Sequence, residues 1–269
     1  MRPLDILREA SERIHRSVRG MAGTDAAGGD YGRGAGGDIS KAIDVAAEGA
    51  VLEYLREVEF PCTVLGEECG RVEIAGGGPY VVMDAIDGTA NAVRGFPFYC
   101  SSLAYAEGYS LGEITAGVVK NLATGRTYWA VKGKGAFADG SRIRAGRGEE
   151  GYTILGLNLS GATPELLERV RPLTESAHIR HMGANALEMA VFSEGLMDAF
   201  VDIRDKIRIQ DIAAGYLLVR EAGGLLLDAD MRPLDADLGY GTRVSFIAAA
   251  DAEAADYVAS KINGALGGI

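Results

Sequence analysis

The stretch VVMDAIDGTANAVRGFPF, residues 81–98, ends an apolar run on two aspartates, Asp84 and Asp87, and follows them with Gly-Thr. Glu67 and Glu68 end an earlier apolar run in CTVLGEECG, and Asp211 starts a helical pattern, DIAAGYLLVREAGG, far downstream. Acids at the ends of adjacent strands point into one space, where they repel one another and raise their own pKa values. A hard divalent cation removes that cost. Oxygen donors without Cys or His suit Mg2+ or Mn2+. Two such ions sharing Asp84 explain why so many acids converge.

The Gly-Thr at 88–89 supplies the other half of the chemistry. DGTANAV reads as a turn into a short helix. Free N–H groups at such a start bind phosphate, helped by the helix dipole. Glycine at 88 lets the backbone come close. Metals beside a phosphate cradle mean phosphoryl transfer or hydrolysis, one ion activating water and the other stabilising the leaving oxygen. No GxxxxGK[ST] loop is present, so nucleoside triphosphate use is not indicated.

The elements that must position these groups follow from periodicity and turn residues. Residues 2–19 carry Leu4, Leu7, Ile14 and Val18 at helical spacing. The glycine-rich stretch 20–38 is expected to hold no regular structure; it is either a linker or a flap over a site. A second helix is expected over 40–58, capped by Asp38 or Ser40. Strands are expected in CTVLGEECG, PYVVMDAIDGT, SSLAYAEG, EITAGVVKN and RTYWAVKGKGAFADGSRI. RAGRGEEG, 144–151, is a plausible boundary, giving an α+β half over 1–147 and an α/β half over 148–269. In the second half, strands YTILGLNL, IRHMG, MDAFVDI, LLLDAD and SFIAAA alternate with helices TPELLERVRPLTES, ANALEMAVFSEG, IQDIAAGYLLVREAGG and 251–264.

Composition bounds the alternatives. A net charge of -11 with no Lys/Arg cluster argues against a nucleic-acid face. No apolar run is long enough for a bilayer, and MRPLDILREASERI is not a secretory signal, so no membrane partner and a cytoplasmic location are expected. Cys62, Cys69 and Cys100 lack metal spacing and read as free thiols. His15, His178 and His181 are scattered and suggest neither a triad nor a zinc site.

GEE at 66–68, DAIDGTANAVRGFPF at 84–98 and QDIAAGYLLVREAGG at 210–224 together resemble the three signatures of the inositol monophosphatase family, which includes fructose-1,6-bisphosphatases. DISKAID (38–44) and KGKGAF (132–137) match in place and order. The resemblance implies a layered αβαβα sandwich, a homodimer, and a Mg2+-dependent, lithium-sensitive phosphatase of carbohydrate metabolism. It implies that Glu67 and Asp84, with the Ile86 carbonyl, hold a first metal, and that Asp84, Asp87 and Asp211 hold a second. Glu67 would also touch a third ion, with Asp44 and Glu68 in its outer surroundings. Thr89, with Glu67, would orient and deprotonate the attacking water, and the amides of Gly88 and Thr89 would grip the phosphate.

Three positions depart from the pattern: Ala85 stands where many members have Pro, Gln210 where many have Trp, and Arg204 where inositol-selective members have a carboxylate. Arg204, with Lys206 and Arg208 close behind, suits a second phosphate on the substrate; its bland alternative is a surface residue. Arg180 is expected to join it, while Gly183 and Asn185 sit where the family lines the sugar. The expected substrates are the small sugar phosphates fructose 1,6-bisphosphate and inositol 1-phosphate, the bisphosphate favoured. The rivals are a 3'-phosphoadenosine-5'-phosphate phosphatase and a non-catalytic sugar-phosphate-binding regulator.

Overall fold

The computed structural model describes residues 1–35, 39–146 and 152–264. Its first half runs α1 (Pro3–Val18), β1 (Asp30–Arg33), β2 (Ile39–Lys41), α2 (Ala42–Glu57), β3 (Cys62–Gly66), β4 (Gly70–Ile74), β5 (Tyr80–Asp87), α3 (Thr89–Arg94), β6 (Cys100–Ala106), β7 (Ile114–Asn121), β8 (Thr127–Val131), β9 (Gly135–Ala138) and β10 (Ser141–Ile143). The second runs β11 (Ile154–Leu157), α4 (Pro164–Ser176), β12 (His178–Arg180), α5 (Asn185–Ser193), β13 (Ala199–Arg208), α6 (Ile209–Glu221), β14 (Leu225–Leu227), β15 (Arg243–Ala249) and α7 (Ala252–Gly264).

Two sheets organise the molecule. One has eight strands in the order β10-β9-β8-β7-β6-β5-β3-β4, the other five in the order β12-β11-β13-β15-β14. The large sheet is antiparallel except where β3 runs parallel to β5. Helices α1 and α2 cover its outer face through a core that includes Ile6, Leu7, Ile14, Ile43, Val51 and Leu55. With Ala10 and Ala47 included, Leu7, Ala10 and Ile14 and then Ile43, Ala47, Val51 and Leu55 recur three and four apart, so each helix buries one stripe. Helices α5 and α6 lie between the sheets. Every residue of α6 from Ile209 to Val219 is buried, as a helix covered on two sides requires. Helices α4 and α7 close the far face of the small sheet over Leu155, Val201 and Ile247. The layer order is αβαβα, as expected. Burying side chains such as Phe192, Phe200 and Phe246 contributes about 1.5–3 kcal/mol each.

Several local expectations are corrected. The glycine-rich stretch carries an antiparallel ribbon, β1 on β2, pairing Asp30 with Lys41 and Arg33 with Ile39. An Asp30–Lys41 ion pair and a bond from the Ala35 amide to the Glu68 carbonyl fix it in spite of its glycines. Helix α2 is capped at Lys41, not at Ser40, whose hydroxyl bonds Glu68 instead; Asp38 and the boundary at 147/148 lie outside the described residues. Strand β4 was not foreseen, and β13 continues beyond MDAFVDI to Arg208. No described helix is long and apolar enough to cross a membrane. The three cysteines are free thiols.

Candidate active site

The parallel pairing of β3 with β5 sets Gly66 opposite Met83, so the next residues, Glu67 and Asp84, emerge side by side. Asp211 reaches the same point from the first turn of α6. Glu67, Asp84 and Asp211 each offer a carboxylate oxygen, all within 4.8 Å of one another. Gly66 leaves room just before this point: a Cβ there would lie 2.7 Å from the Cys69 Sγ and 2.8 Å from a Glu48 oxygen, so those side chains would have to shift.

Asp87 joins from the same strand by a bulge. Asp84 pairs with Ser102 but Asp87 with Cys100, so three steps on β5 match two on β6. Without the extra residue, positions 84 and 87 would face opposite sides of the sheet. Asp87 lines the cleft and its Oδ2 accepts the Ala186 amide at 2.6 Å. The Ile86 amide donates to Asp84 Oδ1 at 3.1 Å, which leaves the Ile86 carbonyl to accept the Thr89 hydroxyl at 3.0 Å.

Gly88 turns the chain from β5 into α3 with φ of 90°, a left-handed conformation. A Cβ at 88 would lie 3.0 Å from that of Ala184 and 3.2 Å from the Phe98 carbonyl. The first helical amides of α3 precede any intrahelical bond. Thr89 Oγ1 also lies 2.9 Å from Asp44 Oδ1, so its hydroxyl has two acceptors for one hydrogen. Asp44 is the third residue of α2, and its Oδ2 accepts the Lys41 amide at 2.9 Å. Asp211 is the third residue of α6 and holds the Arg208 amide in the same way, at 3.4 Å. Each aspartate caps its own helix with one oxygen.

Burial dominates the electrostatics. It raises Asp44 to about 6, and Glu67 and Asp87 to about 8, and it lifts Asp84 well above the ordinary carboxylate range. Asp211 is raised for the same reason. Repulsion adds to burial: Glu67, Asp87 and Asp211 all act on Asp84. Arg208 opposes it, with Nη1 2.7 Å from Glu67 Oε1 and Nε 3.3 Å from Asp211 Oδ1. A buried set of oxygen donors whose charges are this costly fits a hard divalent cation. The cleft measures about 540 Å³, and its lining includes Glu67, Asp84, Asp87, Thr89, Asn185 and Arg208.

The expected substrate residues are not all gathered there. Asn185 lines the cleft, and its Oδ1 accepts Asn158 Nδ2 at 3.0 Å. Gly183 stands against Gly88, its carbonyl 3.3 Å from where a Cβ would be. Arg204 is held elsewhere. Its guanidinium grips the fully buried Asp202 through Nε at 2.8 Å and Nη2 at 2.5 Å, and donates to the Ser160 carbonyl at 2.6 Å. Lys206 bonds the Gly161 carbonyl and Arg180 the Ile179 carbonyl. A wide bulge explains the divergence: five steps on β13 from Asp202 to Ile207 match two on β15, so 203–206 swing out of the ladder.

Sequence reasoning missed three supports. Glu48 accepts the amides of Glu68 at 2.9 Å and Cys69 at 2.7 Å, fixing the loop that carries Glu67. Glu188 accepts those of Met182 at 3.2 Å and Gly183 at 3.0 Å. Asn91 Nδ2 donates to the Met182 and Phe98 carbonyls. The signal for Glu48 was its place one turn after Asp44 on the buried stripe; that for Glu188 was a carboxylate inside an otherwise apolar helix.

Comparison with known proteins matches this geometry. A profile of the inositol monophosphatase family matches residues 4–265. The fructose-1,6-bisphosphatase/inositol-1-monophosphatase of Methanothermobacter thermautotrophicus is 35% identical over 254 residues, 90% of each chain. The bifunctional NADP phosphatase/NAD kinase of Methanococcus maripaludis is 29% identical over 91% of this chain and 46% of its own. A solved inositol monophosphatase-fructose 1,6 bisphosphatase superposes with a TM-score of 0.86 at 26% identity, covering 97% of this chain and all of that one.

Proposed function

The chain belongs to the inositol monophosphatase family and is a phosphatase, and from that premise we propose that it hydrolyses fructose 1,6-bisphosphate to fructose 6-phosphate and inositol 1-phosphate to inositol with Mg2+. The observation that carries this reading is the convergence of three carboxylates within 4.8 Å beside a hydroxyl already paired with a fourth acid, Asp44.

Glu67, Asp84, Asp87, Asp211 and the Ile86 carbonyl would hold two Mg2+ ions, or Mn2+, with Glu67 also touching a third. Bound there, such ions lower the pKa of a water and neutralise charge on the phosphate and the leaving oxygen. Thr89 gives its hydrogen to Asp44 or to the Ile86 carbonyl, which frees its lone pairs to accept a hydrogen bond from the attacking water. Thr89 and Glu67 together would orient and deprotonate that water. The amides of Gly88 and Thr89 would hold the phosphate in line with it. Gly183 and Asn185 would meet the sugar. Among the cations proposed for a second phosphate, Arg180 and Lys206 are exposed and each bonded to a backbone carbonyl, whereas Arg204 is committed to the buried Asp202. The family resemblance extends the proposal to a homodimer.

The similarity to an NADP phosphatase supports a second reading, a phosphate on a nucleotide ribose. A non-catalytic regulator would have a broken donor set, and here Glu67, Asp84, Asp87, Asp211 and Thr89 are all present. Phosphate release from fructose 1,6-bisphosphate, inositol 1-phosphate, 3'-phosphoadenosine 5'-phosphate and NADP, with Mg2+ and then with Li+, separates these. Release from the first two, inhibited by Li+, is expected. Release from the nucleotides alone overturns the substrate assignment, and binding without release favours the regulator.

A further inference from the structure

Arg208 is a cation placed among the carboxylates that the phosphatase reading gives to metal ions. Its guanidinium lies 2.7 Å from Glu67 and 3.3 Å from Asp211, and both side chains of the Glu67 pair are less than a fifth exposed, at 19% and 16%. We propose that Arg208 is a resident counter-ion that competes with divalent ions for Glu67 and Asp211, so that filling the metal centre requires its guanidinium to leave them. The inference rests on the metal assignment made above and concerns what this chain's own side chain does to it.

The geometry separates a fixed part from a movable one. Arg208 ends β13, where it pairs with Arg243 of β15, and caps α6. Its backbone is therefore held by both elements. Asp211 Oδ2 accepts the Arg208 amide, a bond that survives when the side chain moves. The side chain itself is long and rotatable and lines a cleft of about 540 Å³, so it has room to withdraw. A guanidinium and a doubly charged ion on the same carboxylates repel strongly where water is scarce. The work of displacing Arg208 is therefore subtracted from metal affinity, as for any two ligands that exclude each other. The same cation stabilises the cluster before metal arrives, because Glu67, Asp84 and Asp211 are all relieved by it.

Mn2+ binding tests this directly, read from the electron paramagnetic resonance of the free aquo ion on wild type, Arg208→Gln and Arg208→Lys. Arg208→Gln should bind Mn2+ roughly tenfold tighter and melt at a lower temperature in chelator, so that Mn2+ raises its Tm more than it raises that of wild type. Arg208→Lys keeps the charge but not the forked contact and should bind a few-fold tighter. Should Arg208→Gln fail to fold without ions, the lysine variant carries the comparison. Equal or weaker Mn2+ binding by the folded variants overturns the proposal. A wild type that binds no Mn2+ overturns both it and the metal assignment. Tighter binding by Arg208→Gln, with no phosphate released by the wild type from fructose 1,6-bisphosphate or inositol 1-phosphate, upholds this inference and defeats the substrate assignment alone.

Discussion

Asp84 and Asp87 open into one cleft although they lie three positions apart on a single strand, because β5 carries one residue more between them than β6 carries between their partners Ser102 and Cys100. The bulge is what turns a strand end into a donor set. It also leaves Asp87 bonded to the Ala186 amide, which links the carboxylate side of the cleft to the helix that begins at Asn185.

Asp87→Asn separates these two duties. The amide oxygen still accepts from Ala186, so the fold should stand, and removing a carboxyl that burial keeps from ionising should leave Tm unchanged or higher. Phosphate release should fall about a hundredfold or more, since the variant lacks a charged donor. Unaltered release would remove Asp87 from the metal set.

Thr89→Val keeps the shape and removes the hydroxyl that lies between Asp44 and the Ile86 carbonyl. Turnover should drop by about two orders of magnitude, with KM little changed, and Thr89→Ser should recover most of it. A valine variant with full turnover would show that the water is oriented by something else.

Arg204→Met tests a role the sequence did not suggest. The guanidinium is the charge partner of Asp202, which is fully buried, and losing one member of such a pair costs about 3 kcal/mol or more. Urea denaturation should show a loss of that size. The ratio of activities on fructose bisphosphate and inositol phosphate reports the original expectation. A constant ratio confines Arg204 to holding Asp202.

The raised carboxyl groups set a pH dependence. Burial lifts Asp44 to about 6, Glu188 to about 7, and Glu67 and Asp87 to about 8. Between roughly pH 4.5 and pH 8 the folded chain keeps protons that the unfolded chain has lost. Stability in chelator therefore falls as pH rises through that window. Saturating Mg2+ takes the place of those protons and should flatten the slope. Tm measured across the window with and without chelator checks both. A chelated protein that grows more stable toward pH 8 contradicts the assignment.

The sequence exposed the acids and the strands that end on them, since an apolar run closing on a charge is visible without a fold. Glu67, Glu68, Asp84 and Asp87 were legible in that way, Asp211 as an acid opening a helical pattern and Thr89 in the turn after Asp87, whereas Asp44 came only with the family resemblance. The bulges were not legible, because a bulge is a mismatch between two strands and neither strand shows it alone. Hence Arg204 looked like the cation of the site, whereas Arg208, four residues on, reaches it. Glu48 bonds backbone amides of the loop that carries Glu67, and Glu188 those of the loop leading into its own helix, so their roles appear only once the loops are in place. The ribbon of β1 and β2 was hidden by glycine content, which measures backbone freedom and not the ion pair that limits it.

Anomalous diffraction from crystals grown in Mn2+ tests the central claim most directly. Peaks bounded by Glu67, Asp84, Asp87 and Asp211, beside the Ile86 carbonyl, are the expected result. Mn2+ absent from that cleft in a protein that still releases phosphate would contradict it.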